Sequence, residues 1–434
     1  MRRARVRAVA ALRGEVRVPG DKSISHRALI LASQAEGACV IRGLSPGGDV
    51  RNTARALRAL GVALGRWGEE PLAVSGAGLG GWREPGGVLD FGNSGTGIRL
   101  MAGMLAAHPF FSVLTGDRYL RRRPMRRVAE PLRLMGARIA GRAGGTLAPL
   151  AIEGARLRGA GYASPVASAQ VKSALLLAGL LADGETSVTE PERSRDHTER
   201  MLRFLGVDVR VAGTAVSLAG GTPWRARDLT VPGDPSSAAF LLAAAAISPD
   251  AQITVRDVCV NPTRTGFFEV LRAMGARLRL TRRREVCGEP VADVTAASSE
   301  LRGIDVPPEL VPQTIDEFPI LAATALFARG TTRVTGAAEL RVKESDRIRT
   351  MCLELARLGA RVRELPDGLE IEGGHPLRGA ACASHGDHRV AMSLAVAGGA
   401  IRGETRIADT ACVATSFPGF WDLMRGLGAR VTEG

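Results

Sequence analysis

VPGDKSIS at 18–25 and VPGDPSSA at 231–238 share five of eight residues and stand 213 residues apart in a chain of 434. A turn that opens an apolar helix, repeated at half the chain length, reads as a duplication with its boundary near residue 232. One position inside the string differs in kind. Pro235 stands where Lys22 stands, so this helix start folds without a lysine, and Lys22 is marked as functional. Moving outward, a shorter motif occurs six times: LRALGV at 57, LRLMGA at 132, LRFLGV at 202, LRAMGA at 271, LARLGA at 355 and MRGLGA at 424. Each predicts an amphipathic helix closed by glycine in the left-handed C-cap position and followed by an alternating strand.

About 40 residues before each of these motifs, a polar or glycine-containing cluster opens a helix rich in Ala and Leu. The openings are GDKSISHR from 20, GNSGTGIR from 92, SAQVKSAL from 168, GDPSSAAF from 233, IDEFPILA from 315 and GDHRVAMS from 386. Six units of strand, buried helix, strands, surface helix and strand follow, each over about 70 residues and three to each half. The fold class is α/β (α+β): two similar domains of three βαβαββ-type units with buried parallel helices. Helices this apolar must be enclosed, which leaves their polar starts to be explained. Met101, Met104 and Met392 are expected to be core filler.

The composition, 45% apolar and 24% charged, is that of a folded domain protein and excludes collagen-like, disordered and membrane-spanning classes. The apolar runs at 174–182 and 240–247 fall short of the roughly 18 residues a span needs. Arg13 cuts off the N-terminal AVAAL, so no secretory leader is read and a cytoplasmic location is expected. Six scattered cysteines without a CxxC, and His385 and His388 without a third ligand nearby, predict no disulfide frame and no metal. The net charge is +14, yet 4 Trp, 2 Tyr and 11 Phe are too few for base-stacking platforms, which turns the reading from nucleic acid toward small polyanions. Only three of the 58 cations are lysine, at 22, 172 and 343. A compact ammonium can approach a reacting centre in ways a wide guanidinium cannot, so the surviving lysines are candidates for chemistry.

Helix N-termini carry free N–H groups and a partial positive charge, a ready place for anions. If the six starts converge, the lining holds Lys22, Ser23 and Arg27; Asn93 to Thr96 with Arg99; Ser168 and Gln170; Asp316 and Glu317; and His388 and Arg389. Lys343, Glu344 and Arg347 of LRVKESDR and Arg123 before Pro124 join them. Cations with three carboxylates suit two small anionic substrates and acid/base chemistry between them. The plainer reading of each Ser, Asn, Asp or Thr is an ordinary helix cap. Neither GxxxxGK[ST] nor a GxGxxG with a following acid occurs, which argues against a nucleotide-phosphate loop. The arginine runs at 121–123 and 282–284 read as solvated faces.

GDKSISHR, DFGNSGTG, RRPMRRV, SAQVKS, SRDHTE, GDPSS, NPTRTG, LRVKESDR, GDHR and ATSFP occur in this order from residue 18 onward. In this the chain closely resembles the 5-enolpyruvylshikimate-3-phosphate synthase family. The resemblance implies two domains, 18–232 and 1–17 plus 233–434, joined by a hinge and closing over substrates. It implies transfer of the enolpyruvyl group of phosphoenolpyruvate to the 5-hydroxyl of shikimate 3-phosphate through a tetrahedral intermediate, with phosphate released and no cofactor. By the same resemblance Lys22, Ser23, Arg27, Ser168, Ala169, Gln170, Arg195, Asp316 and Lys343 meet shikimate 3-phosphate. Lys22, Gly95, Arg123, Gln170, Arg347 and Arg389 meet phosphoenolpyruvate. Asp316 takes the 5-hydroxyl proton, and Glu344 with Lys22 handles protons at the methylene carbon. Gly95 is expected to border open space that in this family also admits the inhibitor glyphosate, so sensitivity is expected. Many family members have a lysine where this chain has Thr415, and Lys172 receives no role.

Two other functions fit parts of this pattern. The sister transferase acting on UDP-N-acetylglucosamine uses a loop cysteine, and no cysteine lies between 115 and 127 here. An RNA-end or other nucleic-acid binding protein of related fold would account for the basic charge. The expected partners are the two small substrates, with no nucleic acid and no membrane, and the expected state is a monomer.

Overall fold

The protein, a computed structural model describing residues 2–434, repeats one arrangement six times. The second unit shows it most plainly. Leu89–Asp90 runs parallel to Phe111–Thr115, which pairs antiparallel with Leu147–Glu153, itself antiparallel to Arg138–Gly141. A parallel pair cannot be closed by a tight turn, and the buried helix Gly95–Ala106 supplies the crossover. Helix Arg126–Leu134 covers the return.

Three sheets take a strand from elsewhere in the chain. Leu229–Thr230 fills the parallel edge of the first sheet beside Glu36–Arg42. Arg13–Arg17 does the same for the fourth sheet, beside Gln252–Cys259. Arg3–Arg7 sits between Glu404–Ala408 and Arg430–Glu433 in the sixth. The N-terminal strands therefore complete two sheets of the second half. In the fifth sheet the parallel strand shrinks to the single bridges Arg302 to Arg329 and Asp305 to Arg333, leaving three strands. The chain divides into two compact units: Gly20–Val231 with Glu285–Glu289, and the stretch through Pro19 with Pro232–Arg284 and Pro290–Gly434.

The six repeated glycines, 61, 136, 206, 275, 359 and 428, all have φ between 86° and 108°, the left-handed turn that ends the surface helix. The six apolar helices are Lys22–Ser33, Gly95–Ala106, Ala169–Gly179, Pro235–Ile247, Phe318–Ala325 and His388–Gly398. They fill the cores, and Met101, Met104 and Met392 lie within them as packing. Small residues set how closely these helices approach. A methyl group on Gly103 would lie 2.1 Å from the carbonyl oxygen of Ala174, so Gly95–Ala106 and Ala169–Gly179 can meet only because that position is bare. Among the described residues no helix is long and apolar enough to cross a membrane.

Candidate active site

Five of the six apolar helices begin with a side-chain cap. Asp21 accepts from the Ile24 N–H, Ser94 from Gly97, Ser168 from Val171, Asp234 from Ser236 and Asp387 from Arg389. The ordinary reading of these polar residues is thus correct as far as it goes. The fifth start is different. Glu317 holds the cap position of Phe318–Ala325 without a capping bond, and Asp316 stands just ahead of the helix.

In the Gly20–Val231 unit, Lys22 is the first residue of its helix, its Nζ 2.9 Å from Asp49 Oδ2. Arg27, one turn on, is 2% exposed. It donates to the Ser23 carbonyl at 2.9 Å, to Thr198 Oγ1 at 2.7 Å and to Ser173 Oγ at 2.6 Å. Burial, followed by the charges of Glu199 and Asp21 acting against it, brings the guanidinium down to about 10. It remains a cation at neutral pH. His26 between them joins three helices: Nδ1 lies 2.8 Å from Thr53 Oγ1 and Nε2 lies 3.3 Å from Ser94 Oγ. Burial, with the charges of Lys22 and Arg27, lowers its pKa to about 3, so the ring is neutral and serves as a polar strut.

The second and third starts are tied together beside it. Arg99 donates to Gln170 Oε1 at 2.6 Å and to the Pro124 carbonyl at 2.9 Å, while Gln170 donates to Thr96 Oγ1 at 3.0 Å. Pro124 follows Arg123, whose guanidinium lies over Gly95: a methyl group there would be 2.7 Å from Arg123 Nη1 and 2.8 Å from Cζ. The open space expected beside Gly95 is therefore occupied by the end of a flexible side chain, which a methyl group there would push aside. Ser168 holds its place by donating its backbone N–H to Glu190 Oε1 at 2.7 Å. Ala169 and Gln170 follow it as the first residues of their helix, and Arg195 is partly exposed in the segment before helix His197–Phe204.

In the other unit the chemistry gathers on arginines. Arg347 is 1% exposed and reaches three carboxylates. Its Nε is 2.8 Å from Asp387 Oδ2, Nη2 is 2.7 Å from Glu344 Oε2 and Nη1 is 3.7 Å from Asp316 Oδ1. Burial would lower the pKa of Arg347, but Asp387, Glu344 and Asp316 outweigh it and hold the guanidinium above its ordinary value. Burial would likewise raise Asp387, and Arg347 keeps it below the usual carboxylate range. Arg389 donates to the Asp316 carbonyl at 2.8 Å. Arg264, from NPTRTG, donates to Ser236 Oγ at 2.9 Å and Asp234 Oδ1 at 3.2 Å, with Nη1 4.0 Å from Asp316 Oδ2.

The structure brings Asp316, Glu344, Arg347 and Arg389 together. Lys343 is at the end of the turn Ala338–Val342 and pairs with Glu339 at 3.2 Å. Sequence reasoning missed His26, Arg264 and Asp387, although all three lie inside strings it had singled out. Their signal was a charged or polar residue within one of those strings, and only the fold shows that all three are buried. Lys172, grouped with the candidates by its rarity, is buried in the first turn of its helix, where its ammonium pairs with Glu190 and Glu199. Thr415 donates its hydroxyl to the Cys412 carbonyl at 2.7 Å, closing its own turn.

Residues 6–424 match the model of a family described as EPSP synthase (3-phosphoshikimate 1-carboxyvinyltransferase). The 3-phosphoshikimate 1-carboxyvinyltransferase of Gloeobacter violaceus is 58% identical over 412 residues, 95% of each chain. That of Synechococcus sp. (strain JA-3-3Ab) is 56% identical over 420 residues, 96% of this chain and 94% of its own. A solved structure of EPSP synthase from Acinetobacter baumannii matches with a TM-score of 0.90 at 44% identity, covering 100% of both chains.

Proposed function

The chain belongs to the EPSP synthase family, and from that membership we propose how it works as a 3-phosphoshikimate 1-carboxyvinyltransferase. The reaction moves the enolpyruvyl group of phosphoenolpyruvate onto the 5-hydroxyl of shikimate 3-phosphate and releases phosphate. Its two substrates bring two phosphates and two carboxylates, the load that helix starts and clustered cations suit. Lys22, Ser23, Arg27, Ser168, Ala169, Gln170 and Arg195 of the first half, with Asp316 and Lys343 of the second, take shikimate 3-phosphate. Lys22, Gly95, Arg123 and Gln170, with Arg347 and Arg389, take phosphoenolpyruvate. Asp316 accepts the 5-hydroxyl proton as that oxygen bonds to C2 of phosphoenolpyruvate. Glu344 and Lys22 deliver a proton to C3, then remove one as the C2–O bond to phosphate breaks; Asp316 gives the hydroxyl proton, directly or through solvent, to the phosphate, which leaves as hydrogen phosphate, so protons and charge balance over the cycle. The enzyme acts in the cytoplasm as a monomer, without cofactor, metal, membrane or nucleic acid.

The observation that carries this reading is the sharing of Arg347. The carboxylates assigned to the two proton transfers, Asp316 and Glu344, lie 3.7 and 2.7 Å from one guanidinium, and that guanidinium is assigned to the substrate between them in the reaction. A cation so placed orients both groups and meets the charge that develops as the C–O bonds change. The test is a coupled assay of phosphate release. Release should need both substrates and match, mole for mole, a product heavier than shikimate 3-phosphate by one enolpyruvyl group. Release from phosphoenolpyruvate alone, or turnover with UDP-N-acetylglucosamine, would refute the assignment.

A further inference from the structure

Lys172 has no part in the roles above, yet it is 2% exposed and doubly paired. Its Nζ lies 2.9 Å from Glu190 Oε2 and 2.8 Å from Glu199 Oε1, with both carboxylates as deeply buried as the ammonium. Each glutamate leads toward the helix starts. Glu190 accepts the Ser168 N–H at 2.7 Å and the Ser194 hydroxyl at 2.7 Å. Glu199 is next to Thr198, whose hydroxyl accepts from Arg27 at 2.7 Å and lies 2.7 Å from Ser173 Oγ. Ser173, the neighbour of Lys172, accepts the second Arg27 bond at 2.6 Å. Two cations and two carboxylates thus close one buried lattice that touches Arg27, Ser168 and the residue before Arg195.

Such a lattice is a poor source of stability, because apolar residues of similar volume commonly do as well or better. What it does supply is fixed position. Every branch ends on, or one residue from, a group assigned above to shikimate 3-phosphate, and none ends on Gly95, Arg123, Arg347 or Arg389. We propose that Lys172 is a positioning residue for shikimate 3-phosphate: by clamping Glu190 and Glu199 together it sets the Ser168 helix start, the Ser194–Arg195 segment and Arg27 in register with one another. The inference rests on the functional reading above and deepens it.

The test uses Lys172→Met and the charge-balanced Lys172→Met with Glu199→Gln, read by calorimetric titration with shikimate 3-phosphate, by the two Michaelis constants and by thermal melting. Lys172→Met leaves two buried carboxylates facing each other and should melt early. The double variant restores the balance, and its melting point should return near that of the unmodified protein. It should still bind shikimate 3-phosphate on the order of tenfold more weakly, with the Michaelis constant for phosphoenolpyruvate changed less than about twofold. A double variant that recovers substrate affinity along with stability, that loses affinity for both substrates equally, or that fails to fold overturns the proposal. The unmodified protein is the control that separates this from the functional reading: if it does not bind shikimate 3-phosphate, that reading falls first.

Discussion

The helix starts at Lys22 and Pro235 share a string and a cap but are filled in opposite ways. At the first, Asp21 caps and the next residue is a lysine, so the start carries its own cation. At the second, Asp234 caps, proline occupies the first turn, and the cation comes from outside as Arg264, which binds Asp234 and Ser236. The cap belongs to the fold and the residue after it is open to function. The same contrast extends through each half. The first half binds its helix starts to one another through neutral His26, Gln170 and hydroxyls, whereas the second half suspends its carboxylates on Arg264, Arg347 and Arg389. We read this as a division between most of the groups assigned to shikimate 3-phosphate, which lie in the first half, and both carboxylates assigned to proton transfer, Asp316 and Glu344, which lie in the second.

The sharpest way to break that division is Asp316→Asn, which keeps size and hydrogen bonding but cannot accept a proton. Phosphate release should fall by about a thousandfold, within the range for loss of a general base, and a rate above a tenth of normal would remove Asp316 from its role. Next comes Lys22→Arg. It preserves charge but not compactness, and should cost about 2.7 kcal/mol or more, at least about a hundredfold in kcat/KM; a mild effect would erase the contrast with Pro235. The third concerns His26. Its pKa is lowered in the folded state, so the unfolded chain binds the proton more readily, and stability must fall as pH drops below the ordinary histidine value toward about 3. The loss should be about 2 kcal/mol between pH 7 and pH 5. Melting curves of His26→Gln should show a smaller pH dependence than the unmodified protein.

A smaller effect is expected at Gly95. Gly95→Ala must displace the Arg123 guanidinium, at roughly 1 to 3 kcal/mol, or about 5- to 150-fold in affinity for an anion held there. The inhibition constant for glyphosate should rise more than the Michaelis constant for phosphoenolpyruvate. An unmodified enzyme already insensitive to millimolar glyphosate would show that Gly95 does not decide sensitivity here. The smallest is Pro235→Ala. It should lower stability by less than about 1 kcal/mol and leave turnover unchanged, because this residue only presets the helix; a loss of activity would place chemistry at the second start as well.

Much of this was legible in the chain itself. The glycine within LRALGV and its five relatives announced where helices end, because a left-handed turn admits little else, and the Lys22/Pro235 difference marked one position as a candidate for function. Periodicity could not show that Arg3–Arg7 and Arg13–Arg17 complete sheets formed hundreds of residues later, since strand pairing at that separation leaves no local pattern. Nor could it separate the lysines. Lys22 and Lys172 both stand at or near the start of an apolar helix, and only the fold shows that Lys172 turns toward Glu190 and Glu199. At Gly95 the sequence predicted space; the packing put Arg123 in it.

The division between the shikimate 3-phosphate anchors of the first half and the proton-handling carboxylates of the second is tested most directly by titrating shikimate 3-phosphate into Lys22→Met and Asp316→Asn side by side. Lys22→Met loses a charged hydrogen-bond donor and should bind at least about tenfold more weakly, whereas Asp316→Asn, although inactive, should bind within about threefold of the unmodified enzyme. Equal losses in the two variants, or the larger loss in Asp316→Asn, would contradict the account.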